Sequence, residues 1–152
     1  MTRTEIEDYV KAKSTFLTSH KHIIPENSGR KMKFIVTEQD VEHLVSDALY
    51  RARGALYLSD IWILHNFFQQ ARYIKSEKDK KSSKSYIHFH YYEINLNGRK
   101  MFLNIRENKK QHTTTLYSIT KEIKNATQKM RVALFDKKLT AGWVGYSLSV
   151  MH

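Results

Sequence analysis

The sequence predicts an α+β fold in which N-terminal helices pack on a twisted antiparallel sheet. Three observations favour it: apolar residues recur at helical spacing up to about residue 75, they alternate along the chain after Lys84, and an Asn-Gly pair separates two of the alternating segments. The chain has 152 residues, 41% of them apolar, which suits one domain with one core. We therefore expect a single domain over 1–152, mainly helical over 1–75 and mainly sheet over 85–152.

The helical part begins with a helix from Thr4 to about Leu17, which should end near His20. Its apolar residues share one stripe, and acidic residues favour its N-terminal end. The polar segment Glu26–Lys31 predicts a loop. The apolar run Met32–Val36 after it predicts a short strand.

Two further helices are predicted before residue 75. Thr37 caps the first, and Asp40 stands at the capping-box position. A break at Gly54 separates it from a second helix that Ser59 caps and whose wide apolar face should be buried in the core. The residues of that face are Ile61, Leu64, Phe67, Phe68 and Ala71, and Trp62 is also expected in the core. The segment Ser76–Lys84 has no apolar residue and predicts a solvent-exposed loop.

A β-hairpin is the clearest local pattern in the sequence. Strands are predicted over Tyr86–Asn95 and Arg99–Arg106, joined through Asn97-Gly98, because both turn residues tolerate positive φ. The elements expected beyond it are a strand over Thr113–Ile119, a short helix over Thr120–Met130, and strands over Arg131–Phe135 and Gly142–Met151.

The charge is uneven along the chain. Its net value is +11, and residues 1–60 hold nine basic and nine acidic side chains, whereas residues 61–152 hold seventeen and six. A cationic surface of this kind favours a polyanion such as RNA, because neutralising phosphates releases counterions. The alternatives are basic residues that only maintain solubility, or an anionic membrane surface.

Several classes of protein are disfavoured. The sequence has no cysteine, which excludes disulfides and thiolate metal sites. It has no run of eighteen apolar residues and no Sec-type signal pattern at the start. We expect no membrane partner and a cytoplasmic site of action, reached if necessary by delivery or secretion without a Sec signal.

Two histidines lie one residue apart in the first hairpin strand. His88 and His90 must point to the same side of the sheet, about 6.6–7 Å apart. A strict two-residue turn pairs His90 with Ile105, whereas a bulged three-residue turn brings Asn104 or Arg106 onto their face. The sequence leaves both registers open.

Three interpretations of the histidine pair remain. A metal site is one, but no third ligand is clearly placed beyond His112 or a distant acidic residue. A structural role on a half-exposed face, beside Tyr86 and Tyr92, is the second. The third is catalysis on RNA.

RNA cleavage requires a base, an acid and a cation, because the nucleophile is the substrate's own 2′-hydroxyl. Histidine can carry the proton, arginine can stabilise the phosphorane, and tyrosine can position or protonate the leaving oxygen. The candidates for these catalytic roles are His88, His90, Arg106 and Tyr117, with no metal or other cofactor. The candidates for RNA binding are Arg99, Lys100, Lys109, Lys110 and His112. For each of them a surface position without a role is the alternative.

The order of elements is similar to that of a nuclease superfamily. The segments LYLSDIWILHNFFQQARYIKSE and HFHYYEINLNGRKMFLNIRENKKQHTTTLYSIT, with a basic loop between them, resemble the phage-associated and polymorphic-toxin branch of the barnase, EndoU, colicin-tRNase and RelE (BECR) superfamily over roughly residues 37–125. The resemblance implies an α+β nuclease whose sheet carries a metal-independent site for RNA. It matches the family's histidine to His88 or His90, its cation to Arg106, and its hydroxyl to Tyr117 or Ser118, with Thr114 as a weaker candidate.

These observations lead to three hypotheses for function. The first is a toxin-like or phage-associated endoribonuclease, which an acidic immunity protein or antitoxin would restrain. The second is a non-catalytic nucleic-acid-binding module. The third is a protein-interaction domain that uses a lysine cluster, namely Lys78, Lys80, Lys81 and Lys84. His152 is expected to be a loose chain end, with a second acid–base group as the alternative.

Overall fold

Helices come first along the chain and strands last. The computed structural model describes residues 1–50, 56–79 and 85–123, and the unit Met1–Glu122 is compact. The α-helices are α1 (Arg3–Lys13), α2 (Thr15–Ser19), α3 (Glu38–Tyr50) and α4 (Leu58–Ile61), and 3₁₀ helices span Glu26–Ser28 and Leu64–Gln70. The strands are β1 (His22–Ile24), β2 (Met32–Phe34), β3 (Arg72–Lys78), β4 (Ile87–Leu96), β5 (Arg99–Asn108) and β6 (Thr113–Thr120). The predicted α+β class is confirmed.

The N-terminal helix of the prediction is present as two consecutive helices. Thr2 and Glu5 form a capping box that starts α1, and the break between α1 and α2 falls at the buried Ser14. The strand predicted over Met32–Val36 forms as β2, which pairs with β1.

The cap predicted for α3 is confirmed. The Asp40 amide donates to Thr37 Oγ1 at 3.0 Å, and the Thr37 amide donates to Asp40 Oδ2 at 2.8 Å. The Thr37 hydroxyl and the Asp40 carboxylate each accept from a backbone amide that has no partner within the helix. The apolar face of α3 is buried through Val41, Leu44 and Val45.

The prediction of the second helix is wrong in the type of helix and in the residue that caps it. Only four residues form α4, and the chain then continues as a 3₁₀ helix. Asp60, and not Ser59, makes the cap, because its carboxylate accepts from the Tyr57 amide at 2.7 Å. The prediction that the aromatic residues belong to the core is confirmed. Phe68 is buried, and Trp62 and Phe67 are partly buried against the same core.

Strand β3 corrects the loop predicted over Ser76–Lys84. Among the described strands its partner is β4, so it lies at the edge of the sheet that these strands form. An edge strand tolerates charged residues on both faces. Lys75 and Glu77 lie on the outer face and Lys78 on the core face, so the segment has no alternation of apolar and polar residues. Residues 80–84 lie outside the described residues, as do Lys80, Lys81 and Lys84 of the lysine cluster.

Four strands form an antiparallel sheet in the order β3-β4-β5-β6. Asn97 and Gly98 have φ of 52° and 87°, so the hairpin turn has two residues with positive φ, as predicted. The register pairs His90 with Ile105, which settles the two alternatives left by the sequence.

The sheet has a core face, packed against α3 and the 3₁₀ helix Leu64–Gln70, and an opposite outer face. Alternation along β4 and β5 assigns each side chain to one of them. The core face carries the buried residues His90, Tyr92, Ile94, Leu96, Met101, Leu103 and Ile105. The outer face carries Phe89, Tyr91, Glu93, Phe102, Asn104 and Arg106.

The two edges of the sheet differ. Ile35, just after β2, forms a parallel bridge with Thr115 of β6. Its amide donates to Thr114 O at 3.0 Å, and the Leu116 amide donates to Ile35 O at 3.1 Å. The edge at β6 therefore has a backbone partner at this point.

The strand predicted over Thr113–Ile119 is confirmed as β6. Thr120 belongs to β6, so the helix predicted from Thr120 does not begin there. The rest of the predicted C-terminal elements and His152 lie outside the described residues, and the single domain over 1–152 stays a prediction. Within the described ranges, no helix is long and apolar enough to cross a membrane.

Candidate acid–base site at one end of the sheet

The two histidines of β4 share the core face, as the sequence predicts. Their ring centroids are 6.4 Å apart, and the ring planes differ by 27°. His90 is only 1% exposed, whereas His88, nearer the end of the strand, is half-buried. The two rings therefore have different access to a substrate.

Both ring nitrogens of His90 are hydrogen-bonded. Nε2 lies 2.8 Å from Glu107 Oε1, and Nδ1 lies 2.6 Å from Ser76 Oγ. A carboxylate can only accept, so Nε2–H donates to Glu107, and Nδ1 of the neutral ring accepts from the Ser76 hydroxyl. Burial is the main reason that the pKa of His90 lies below its ordinary 6.5, which keeps the ring neutral.

A hydroxyl and a guanidinium continue this network. Tyr73 Oη lies 2.6 Å from Ser76 Oγ, and Arg30 Nη1 donates to the same oxygen at 3.3 Å. Arg30 is itself held because its carbonyl accepts from the Tyr92 hydroxyl at 2.7 Å. The loop before β2 thus brings a cation to the sheet.

Glu107 lies directly opposite His88 in the hairpin register. Partial burial acts to raise the pKa of Glu107, but the hydrogen bond from His90 and the nearby cation Lys109 outweigh it, and the pKa falls below its ordinary 4.5. The carboxyl group is therefore ionised at neutral pH.

His88 has cations around it. Burial lowers its pKa below the ordinary 6.5, and the positive charges of Lys109, Lys78 and Arg30 lower it further, while Glu107 acts in the opposite direction. Lys78 is the direct cross-strand neighbour of His88 on β3. The end of the core face thus combines a histidine, a carboxylate and three cations.

Arg106 and Tyr117 do not join the histidines, which corrects the predicted catalytic set. Arg106 pairs with Phe89 in the register and faces the outer side of the sheet. Tyr117 is the extra residue of a bulge in β6, and its ring lies tilted against that of Phe89, with centroids 5.5 Å apart. The physical reason is the two-residue turn, which places Glu107 rather than Arg106 on the face of His88.

The two alternative hydroxyls separate in the same way. Ser118 pairs with Asn104 and belongs to the outer face. Thr114 pairs with Glu107 and belongs to the face of the histidines.

The predicted RNA-binding residues fall into two groups. Arg99 donates to the buried Asp60 at 2.7 Å and covers the Tyr57 ring, and Lys100 binds Glu93 at 2.9 Å. Each of these two cations therefore has a carboxylate partner within the chain. The others, Lys109, Lys110 and His112, are exposed at the turn between β5 and β6.

The sequence reasoning missed Glu107, Ser76, Tyr73 and Arg30. Glu107 could have been predicted from the sequence, because the register set by a two-residue Asn-Gly turn pairs it with His88. The other three depend on strand β3 and on a distant loop, for which no local signal exists. Among the described residues, no group of three or more His, Asp or Glu side chains is placed to hold a metal ion.

Comparisons with known proteins gave no match: no family model, no curated protein and no solved structure is similar to the chain. What the protein does has to be inferred from its own residues.

Proposed function

We propose that the protein is a metal-independent endoribonuclease, toxin-like or phage-associated, that cleaves RNA by attack of the 2′-hydroxyl. The observation that carries the proposal is the cross-strand pair of His88 and Glu107, with Lys78, Arg30 and Lys109 around it. Proton carriers and cations are the groups that this reaction needs from a protein.

The chemistry assigns one role to each group. The Glu107 carboxylate accepts the proton of the 2′-hydroxyl, whose oxygen then attacks the adjacent phosphorus. His88, when protonated, donates a proton to the departing 5′-oxygen, which leaves a 2′,3′-cyclic phosphate. The three cations stabilise the charge on the phosphorane.

His90 is a positioning residue in this scheme. It is too buried to meet the substrate, and its hydrogen bond orients the Glu107 carboxylate. Ser76 donates to Nδ1 on the other side of the ring and helps to hold its orientation.

Purified protein incubated with total RNA in EDTA provides the test. We expect cleavage with 2′,3′-cyclic phosphate ends, and His88→Asn should reduce the rate by about 10²–10⁴-fold, the usual range for loss of a proton carrier. His43→Asn is the matched control, because His43 is exposed on α3 and outside the site. Absence of cleavage, or cleavage only with an added divalent metal, would refute the proposal.

A restraining partner belongs to the same proposal. Lys78, Lys109 and Arg30 are exposed around the site. An acidic immunity protein or antitoxin that covers them would block access of RNA and match their charge.

The outer face favours a second candidate function, a non-catalytic RNA-binding module. Four aromatic side chains lie there with Arg106, and Tyr117 is 47% exposed. Bases of single-stranded RNA stack on such rings, and arginine binds phosphate. The four rings are Phe89, Tyr91, Phe102 and Tyr117.

The two candidate functions predict that different substitutions reduce activity. If the module only binds RNA, the double variant Phe89→Ser with Tyr117→Ser should weaken binding at least tenfold in a fluorescence anisotropy titration, because stacking contributes about 1–3 kcal/mol per base. His88→Asn should then leave binding unchanged and no cleavage should occur with any variant.

A further inference from the structure

A cavity separate from the acid–base site lies between the segment that joins α2 to β1 and the 3₁₀ helix Leu64–Gln70. Its volume is about 500 Å³, within the range of small-molecule sites. It shares no residue with the acid–base site. The residues that matter for its chemistry are Phe16, His20, Lys21, His22 and His65.

One wall of the cavity is a stack of planar rings. Phe16 lies parallel to His20, with centroids 4.0 Å apart and planes 20° apart, and it contacts His65 at 4.5 Å. Phe16 is nevertheless 49% exposed, which is unusual for a phenylalanine with two ring neighbours. An exposed flat ring surface of this kind favours a planar aromatic ligand.

The buried His22 supplies a hydrogen-bond acceptor. Its Nε2–H donates to Leu17 O at 2.7 Å, and the neutral ring therefore has an acceptor at Nδ1. Burial lowers the pKa of His22, so the ring stays neutral. Among the described residues no side chain or backbone group bonds Nδ1. An N–H donor on the edge of a planar ring would satisfy it.

The charge of the lining favours an anion. Lys21 is exposed at the cavity, and none of the described residues that line the cavity carries a carboxylate. His20 Nδ1 lies 3.0 Å from Phe16 O, and within the described part of the chain Nε2 has no hydrogen-bond partner, so it can bind a further group. A flat ring, an N–H donor and a negative charge are together the features of a nucleobase with its attached phosphate.

We propose that this cavity binds a nucleobase together with its phosphate, through stacking on Phe16, a hydrogen bond to His22 and an ion pair with Lys21. The inference does not rest on the ribonuclease proposal, since it requires no cleavage and uses other residues. The ligand is either a free mononucleotide or one nucleotide of an RNA strand.

Isothermal titration calorimetry with the four nucleoside 5′-monophosphates tests the proposal, and ribose 5-phosphate serves as the probe that lacks a ring. We expect saturable binding of at least one nucleotide and at least tenfold weaker binding of ribose 5-phosphate. Phe16→Ser should weaken binding of the nucleotide at least tenfold, whereas the matched control Tyr50→Ser should leave it unchanged, because Tyr50 is an exposed aromatic residue of α3 outside both sites. Equal binding of nucleotide and ribose 5-phosphate, or no effect of Phe16→Ser, would overturn the proposal.

A second variant covers the case in which Phe16→Ser does not fold. Lys21→Gln changes an exposed side chain and should weaken binding of a nucleotide severalfold but not binding of the corresponding nucleoside. Equal effects on both would overturn the ion pair and with it the proposal.

Competition then identifies the source of the ligand. Displacement of the nucleotide by a single-stranded 12-mer RNA indicates an RNA strand, and its failure to compete indicates a free nucleotide.

Discussion

The two faces of the β4–β5 hairpin differ in what their polar side chains contact. On the core face, at the His88 end, Glu107 and His90 are bonded to each other within a network that reaches Ser76. On the outer face, one residue away along the same strand, Arg106 lies beside aromatic rings. The difference teaches that consecutive residues of one strand can have separate surroundings, a hydrogen-bonded network of acid–base groups on one side and aromatic rings on the other.

The largest effect should come from changing neighbours on β5 that belong to different faces. Glu107→Gln removes the proposed base and should lower the cleavage rate by about 10²–10⁴-fold. Arg106→Gln, one position away, should change the rate less than about threefold at saturating RNA. Steady-state kinetics on one RNA substrate measure both variants, and equal losses would mean that the faces do not have separate roles.

Stability should also distinguish the faces. His90→Ala leaves a cavity in the core and unpaired partners at Ser76 and Glu107, so we expect the free energy of unfolding to fall by about 2–4 kcal/mol. Tyr117→Ala removes a half-exposed ring and should lower it by less than about 1 kcal/mol. Urea denaturation followed by circular dichroism gives both values. A similar loss for the two variants would contradict the assignment of His90 to a bonded, buried position.

The pH dependence of cleavage provides a third test of the core-face site. The proposed reaction requires Glu107 ionised and His88 protonated, and the pKa of Glu107 lies below 4.5 and that of His88 below 6.5. As pH rises through the pKa of His88 the protonated fraction falls, so kcat/KM should decrease about tenfold per pH unit on that side. A profile that keeps rising up to pH 8 would exclude His88 as the acid. Arg106→Gln should leave the profile unchanged.

The smallest effect should appear in the salt dependence of RNA binding. If Arg106 contacts a phosphate on the outer face, Arg106→Gln should reduce the slope of log K against log salt by about 0.7, the value for one phosphate contact on a single strand. Anisotropy titrations between about 50 and 200 mM salt measure the slope. An unchanged slope would remove Arg106 from the RNA contact surface.

The parts of the fold with strong local chemistry were predictable from the sequence. The Asn97-Gly98 turn specified the hairpin, and Thr37 with Asp40 specified the start of α3. Strand β3 was not predictable, because an edge strand of charged residues lacks apolar alternation. The helix expected from Ser59 forms only as the short α4, whose Asp60 pairs with Arg99, a contact that only the folded chain creates.

The candidate site was predictable only in part. The histidine pair followed from alternation along β4, but the guanidinium assigned to it belongs to the other face. The actual cation Arg30 comes from a loop 58 positions before His88, and its approach depends on the tertiary contact of Arg30 with Ser76. Long-range packing of this kind leaves no periodic pattern in a sequence.

The bridge between Ile35 and Thr115 has a consequence for self-association. An uncovered strand edge can pair with the same edge of another copy and begin aggregation. Here the β6 side is occupied at that bridge, and β3 on the other side carries charged residues that oppose such pairing. Replacing Ile35 by proline would remove its amide donor and free part of β6, so that variant should form aggregates at concentrations where the unaltered protein stays monodisperse.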